Sequence, residues 1–197
     1  NAISEKMSKI VVGDGTRSCD MGPLVTEVHR DKVASYLDIA EQDGATIVQD
    51  GRGVAPDGDA NGFWLGPTLI DHVPTSSKVY QEEIFGPVLS VVRVKTYDEA
   101  IALINSGAFG NGTAIFTNDG GAARQFVTDI QVGMVGVNVP IPVPMAYFSF
   151  GGWKHSLFGD SRAHGEEGFR FFTRQKVVTS RWSDPSHGGL NLGFPQT

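Results

Sequence analysis

The residue types best suited to chemistry are concentrated in one stretch, Gln81-Glu82-Glu83-Ile84-Phe85-Gly86-Pro87-Val88. Two carboxylates, an aromatic ring and a Gly-Pro turn run directly into an apolar strand. An ionised carboxylate only accepts hydrogen bonds, so one held by a turn suits a vicinal diol such as that of a ribose. A ring beside it can pack on a flat cofactor. The plain alternatives are a solvated turn carboxylate and a core aromatic, because charged and apolar side chains usually sit where solvation puts them.

Other candidate groups are weaker. Cys19 is the one thiol in the chain, so no internal disulfide can form, and its solitude is compatible with a reducing compartment. The neighbouring Asp20 disfavours the thiolate that a nucleophile needs, with Arg17 in partial opposition. Cys19 therefore reads as structural or incidental, and no catalytic residue is assigned. The histidines, His29, His72, His155, His164 and His187, show no metal-ligand spacing, so no metal site is expected. The Gly-rich run 188–193 matches a dinucleotide fingerprint weakly in spacing and opens no helix.

Composition narrows the class. The chain has 197 residues, 40% hydrophobic and 19% charged, which is ordinary globular composition for one domain or slightly more. Its net charge of −6 comes from scattered acidic residues, which disfavours a nucleic-acid or anionic-membrane surface. No apolar run reaches the roughly 18 residues of a membrane span. The first residue is Asn1 rather than Met and no signal architecture follows, so the chain is expected to start within a larger protein.

The elements around the motif follow from periodicity. Thr26 is placed to cap a helix reaching Asp43, with Val33, Tyr36, Leu37 and Ala40 on one face and Gly44 ending it. Short strands are predicted at 46–48, 63–65 and 68–70. The β-branched run 88–94 reads as a strand buried on both faces. Thr96 to Glu99 forms a capping box for a helix that carries Ala100, Ile101 and Ile104 inward and ends near Gly107. A strand at 113–117 follows, then a helix capped by Asn118 or Asp119 with the stripe Ala123, Phe126, Val127 and Ile130, then a strand at 134–139. This alternation predicts a βαβαβ unit, half of a doubly wound, mainly parallel α/β sheet with ligands at the carboxyl ends of its strands.

The segment that follows alternates Pro140, Pro142 and Pro144, then brings Tyr147, Phe148 and Phe150. Prolines exclude a central strand. Such a rigid aromatic loop either walls a pocket for a small substrate or plugs the open end of the sheet. A last strand, predicted over 175–182, needs a pairing partner, and a neighbouring subunit is the natural one. Residues 1–174 are thus expected to form one domain and 175–197 an oligomerisation strand and tail.

Met21-Gly22-Pro23-Leu24, Gly66-Pro67-Thr68-Leu69, Glu82 to Val88, Phe150-Gly151-Gly152-Trp153-Lys154 and Lys176-Val177-Val178-Thr179 resemble, in order, landmarks of the C-terminal half of aldehyde dehydrogenases. The likeness extends to about Asp184. The segments 140–148, 154–160, 164–168 and 173–182 are similar to the CoA-acylating methylmalonate-semialdehyde dehydrogenases. That resemblance implies that Glu83 holds the nicotinamide ribose of NAD and that Phe85 packs near the nicotinamide, with Glu82 left as the solvated member of the pair. It implies that Phe150 lines the substrate tunnel, for which simple packing is an equal alternative. It also implies a cysteine nucleophile, a Gly-rich NAD-binding region and carboxylate-binding arginines upstream of Asn1. The parent enzyme would oxidise (methyl)malonate semialdehyde with NAD and pass the acyl group to coenzyme A, giving propionyl-CoA or acetyl-CoA. It would work as a homo-oligomer, a tetramer by family resemblance, in the cytoplasm or mitochondrial matrix. The chain alone, separated from the missing N-terminal half, is expected to be inactive. The alternative is a catalytically dead domain of this type that serves subunit association.

Overall fold

A computed structural model describes residues 2–58, 60–180 and 182. The chain divides into two compact units, Asn1–Tyr97 and Asp98–Thr197.

Unit 1 contains α1 (Ala2–Met7), α2 (Glu27–Gln42), β1 (Thr46–Gln49), β2 (Thr68–Asp71), α3 (Lys78–Gln81) and β3 (Val88–Ser90). Helix α2 forms as its sequence dictates. Extended Thr26 accepts the amide of His29 on its hydroxyl at 3.2 Å, and Val33, Tyr36, Leu37 and Ala40 are buried on one face. Gly44 then takes φ +83, the left-handed turn that glycine adopts without strain. Strand β2 is central in the order β1-β2-β3, antiparallel to β1 and parallel to β3. The Thr68 hydroxyl is fully buried and is satisfied by accepting the amide of Gly51 at 2.9 Å. Tyr36, Ala40, Ile70, Val73 and Val79 form the core, with Ile84 and Val88 packed against it.

Two strand expectations need correction here. Residues 63–65 form no strand; Phe63 makes only an isolated bridge to Leu24. The run 88–94 forms a strand only as far as Ser90, and as the edge of its sheet it leaves Leu89 46% exposed rather than buried on both faces. His72 takes φ +56 directly after β2 and breaks the regular ladder, although the Val73 amide still bonds the Val91 carbonyl at 3.1 Å. Beside this kink Arg93 grips Asp71 with two parallel bonds, Nε to Oδ1 at 2.8 Å and Nη2 to Oδ2 at 2.7 Å. That guanidinium, before the other causes, holds the Asp71 carboxyl down at a pKa of about 2.

The second stretch contains α4 (Tyr97–Ser106), β4 (Phe109–Gly110), β5 (Gly112–Ile115), α5 (Gly120–Asp129), β6 (Met134–Val137), β7 (Trp153–Lys154) and α6 (Gly165–Phe171). Asp119 caps α5 by accepting the amides of Gly121 and Ala122 at 2.6 and 3.1 Å. Strands β5 and β6 run parallel on either side of α5 in sequence, as predicted. Phe126, Ile130 and Val132 form the core, with Ile101, Ile104, Ile115 and Val135 around them. Val127 is 50% exposed, contrary to the predicted stripe. The i, i+4 pair Phe126 and Ile130 already fills the inward face, and a residue one step on is rotated by about 100°. Asn138, at φ +57, ends β6 two residues earlier than expected and exchanges side-chain bonds of 2.9 Å with the backbone of Thr117 in both directions.

The architecture is α/β, but among the described residues the ladders form three small sheets, of orders β1-β2-β3, β4-β7 and β5-β6, rather than the doubly wound sheet expected. Strand β3 is committed to β2, and the residues leading into β5 are committed to β7. The predicted terminal strand is also absent from 175–180 and from Trp182, which are irregular, with Val177 91% exposed. A strand is defined by its ladder, and this segment finds no partner strand among the described residues. Arg181 and the tail 183–197 lie outside them. The rings of Tyr147 and Phe148 meet at a tilt of 52°, with centres 4.6 Å apart, and both are exposed, so they plug nothing within their own unit.

Candidate functional site

The motif at 82–88 is positioned from beneath by a single face of α2. His29, Val33 and Tyr36 stand at i, i+4 and i+7, one above another on the helix. Each meets a different residue of the motif. The Tyr36 hydroxyl donates to Glu82 Oε2 at 2.5 Å. Val33 packs so closely on Gly86 that a Cβ there would lie 2.5 Å from its Cγ1, which is why glycine is required at that position. His29 Nε2 lies 2.7 Å from the carbonyl oxygen of Phe85. From below, Ile84 packs on the core cluster that contains Tyr36.

Local structure brings the motif to this face. Ser77, buried, caps α3 by accepting the amide of Val79 at 3.1 Å, and the helix ends at Glu82 in extended backbone. After Gly86, the Pro87 carbonyl accepts the amide of Thr68 at 2.8 Å and leads into β3. The segment between these anchors is short and pinned at both ends.

The two carboxylates therefore differ. Glu82, expected to be the solvated one, is exposed, and it is also tied through Oε2 to a buried tyrosine, whose hydroxyl is held above its ordinary pKa first by that hydrogen bond and then by burial. Glu83 is exposed, and among the described residues its carboxylate has no hydrogen-bond or ion-pair partner. All of its acceptor capacity faces solvent. Phe85 is not a core aromatic: its ring is 75% exposed and its backbone is left-handed at φ +58. It lines a groove of about 340 Å³ with Met21, Pro23, Leu24, Leu65 and Pro87. The fold thus joins two separate sequence landmarks, 21–24 and 82–88, in one apolar recess. Glu83 does not line that recess but adjoins Phe85 through Ile84.

Phe150 belongs to unit 2 and is half-buried. Its backbone forms an antiparallel bridge with Ala163, with bonds of 2.7 and 3.0 Å, and its ring lies 6.2 Å from that of His164. Glu83 and Phe85 are brought together in unit 1, and Phe150 is held separately by its own neighbours. Cys19 is half-buried, and its thiol is directed at the carbonyl oxygens of Gly13 and Asp14, at 3.2 and 3.1 Å. The thiol is thus engaged as a hydrogen-bond donor within its own loop, which suits a structural group. Among the described residues no cluster of three or more His, Cys, Asp or Glu could hold a metal ion, and no helix is long and apolar enough to cross a membrane.

Sequence reasoning missed His29 and the tie between Tyr36 and Glu82. The second had a signal: a tyrosine in an apolar helical stripe must find a partner for its hydroxyl. The first had none, because the geometry depends on a left-handed residue 56 positions away.

Known proteins agree with these landmarks. Malonate-semialdehyde dehydrogenase of Pseudomonas aeruginosa is 54% identical over 193 residues, covering 96% of this chain and 39% of the relative. The methylmalonate-semialdehyde dehydrogenase structure from Oceanimonas doudoroffii superposes with a TM-score of 0.90 at 54% identity, covering 95% of this chain and 39% of that one. A putative methylmalonate-semialdehyde dehydrogenase from Sinorhizobium meliloti 1021, solved with NAD, gives a TM-score of 0.89 at 47% identity, covering 92% and 37%. The chain spans about two fifths of the length of the curated relatives it matches. With residues 1–178 matching the Aldehyde dehydrogenase family, and the 82–88 motif mounted on one face of α2, the chain belongs to that family.

Proposed function

We propose that this chain is part of an NAD-dependent semialdehyde dehydrogenase in which it supplies one wall of the cofactor site. The observation that carries the reading is the unpartnered carboxylate of Glu83 beside the fixed, exposed ring of Phe85. The donor set fits the cofactor: a carboxylate with both oxygens open accepts from two ribose hydroxyls, and a ring held on a rigid backbone offers a flat apolar contact. NAD, when bound, supplies the hydride acceptor; the residues here hold and orient it. The relatives named malonate- and methylmalonate-semialdehyde dehydrogenase support a short carboxylated aldehyde as substrate. In this reading coenzyme A takes the acyl group, as propionyl-CoA or acetyl-CoA. Phe150 is assigned to the substrate side. The nucleophile lies outside this chain, which turns over nothing alone, because Cys19 is engaged as a donor.

An assay of the full-length protein with NAD, coenzyme A and malonate or methylmalonate semialdehyde tests this. Formation of NADH and acyl-CoA is expected, unchanged by Cys19→Ser, with none from the 197-residue chain alone. Loss of turnover in Cys19→Ser would overturn the assignment of that thiol. A second reading, association without catalysis, draws on the exposed apolar residues Phe158, Phe172, Val177 and Trp182. It requires an oligomer that neither binds NAD nor forms NADH. A homo-oligomer in the cytoplasm or mitochondrial matrix accords with both readings.

A further inference from the structure

We infer that His29 is a positioning residue: it holds Phe85 in the left-handed conformation that presents its ring. The inference rests on the cofactor reading above for its consequence, though not for its geometry. A left-handed backbone is unfavourable for an L-residue, and an aromatic residue with φ above zero persists only where its surroundings hold it. At Phe85, with φ +58, three restraints converge. Gly86 is pressed on Val33 on one side. Ile84 is packed on the core on the other. The carbonyl between them accepts from His29 Nε2 at 2.7 Å. A carbonyl only accepts, so Nε2 carries the proton in this contact. The two rings also meet edge to face, with centroids 6.4 Å apart and planes at 62°, so His29 touches both the backbone and the ring of Phe85. His29 is itself fixed, because its amide is the one that the Thr26 cap captures at 3.2 Å. The chain of restraint therefore runs from the cap, through the first turn of α2, to the ring.

The three restraints are not equivalent. Gly86 and Ile84 fix where the segment lies, whereas the His29 bond fixes which way the Phe85 peptide faces. With Ile84 held on the core, rotating φ of Phe85 to the ordinary negative region would turn that carbonyl away and break the bond. Removing the imidazole is therefore expected to release the backbone without unfolding the helix below it.

Crystal structures of the full protein as wild type, His29→Ala and His29→Gln test the geometry directly. Gln keeps an amide donor with a reach similar to Nε2. Phe85 is expected to keep positive φ in the wild type and in His29→Gln and to move to negative φ in His29→Ala; positive φ retained in His29→Ala overturns the inference. Titration with NAD tests the consequence. His29→Ala is expected to weaken binding about fivefold, the worth of one neutral hydrogen bond, and His29→Gln is expected to restore it. A flipped Phe85 with undiminished NAD affinity overturns the positioning role. Glu83→Gln separates the two levels: if it leaves NAD affinity unchanged, the cofactor reading fails while the φ measurement still decides the role of His29.

Discussion

Helices α2 and α5 begin from the same signals, a side-chain oxygen cap and an apolar stripe, yet they do different work. In α2 the stripe is four residues deep, and Val33, Leu37 and Ala40 are wholly inaccessible. In α5 only Phe126 is buried within the helix, and Val127 faces out. The difference lies in what each helix packs on. Helix α2 covers a three-stranded sheet whose central strand is buried, whereas α5 covers the pair β5 and β6. A closed core under α2 makes its outer turn a rigid platform, and the 82–88 motif is mounted there. The apolar residues of the second stretch, from Ile141 to Trp182, are largely exposed instead, which places the anchored chemistry in one unit and the unsatisfied apolar surface in the other.

Four substitutions probe that contrast, taken from the largest expected effect down. Leu37→Ala should cost about 2–5 kcal/mol, because a fully buried leucine leaves a cavity that a packed helix cannot collapse. Hydrogen exchange should report the loss in α2, β1 and β2 and leave α5 protected; equal loss in both units would mean that the cores are not independent. Tyr36→Phe should cost about 1 kcal/mol, the net worth of a hydrogen bond whose acceptor can return to water. Chemical denaturation measures it, and no loss would show that the tie to Glu82 is slack.

Asp71→Asn tests an effect that depends on pH. The Asp71 carboxyl, ordinarily near 3.8, is held at about 2 in the fold by Arg93, so the folded state favours its ionised form. Its contribution is present above about pH 3.8 and fades as pH falls through about 2. Thermal melts should therefore show the wild type more stable than Asp71→Asn at neutral pH and the two converging toward pH 2. A constant gap would assign the effect to packing. Val127→Ala should change stability by less than about 0.5 kcal/mol, since a half-exposed valine loses little. A larger cost would mean that something covers that face in the full protein.

How much of this was legible beforehand depends on whether a feature is local. The α2 stripe, the Thr26 and Asp119 caps, the Gly44 stop and the parallel pair predicted at 113–117 and 134–139 are written in spacing over a few residues, and the structure has them, with the pair shortened to 112–115 and 134–137. Sheet membership was not legible, because it depends on which edge a three-residue strand finds. Val88 to Ser90 pairs with β2, and no pattern within 88–94 says so. The site was half legible. The type and order of Glu82, Glu83 and Phe85 marked it, but the partition of the carboxylates depends on Tyr36, 46 positions earlier. The conformation of Phe85 depends on His29.

In the proposed reading the carboxylates have separate duties, Glu82 for the fold and Glu83 for NAD. Glu82→Gln and Glu83→Gln in the full-length protein, each with its melting temperature and its NAD dissociation constant, test it most directly. Glu83→Gln should weaken NAD about tenfold or more, as expected for losing a charged acceptor, and leave the melting temperature unchanged. Glu82→Gln should lower the melting temperature and bind NAD nearly as well as the wild type. The reverse pattern, with NAD lost in Glu82→Gln and kept in Glu83→Gln, would contradict the account.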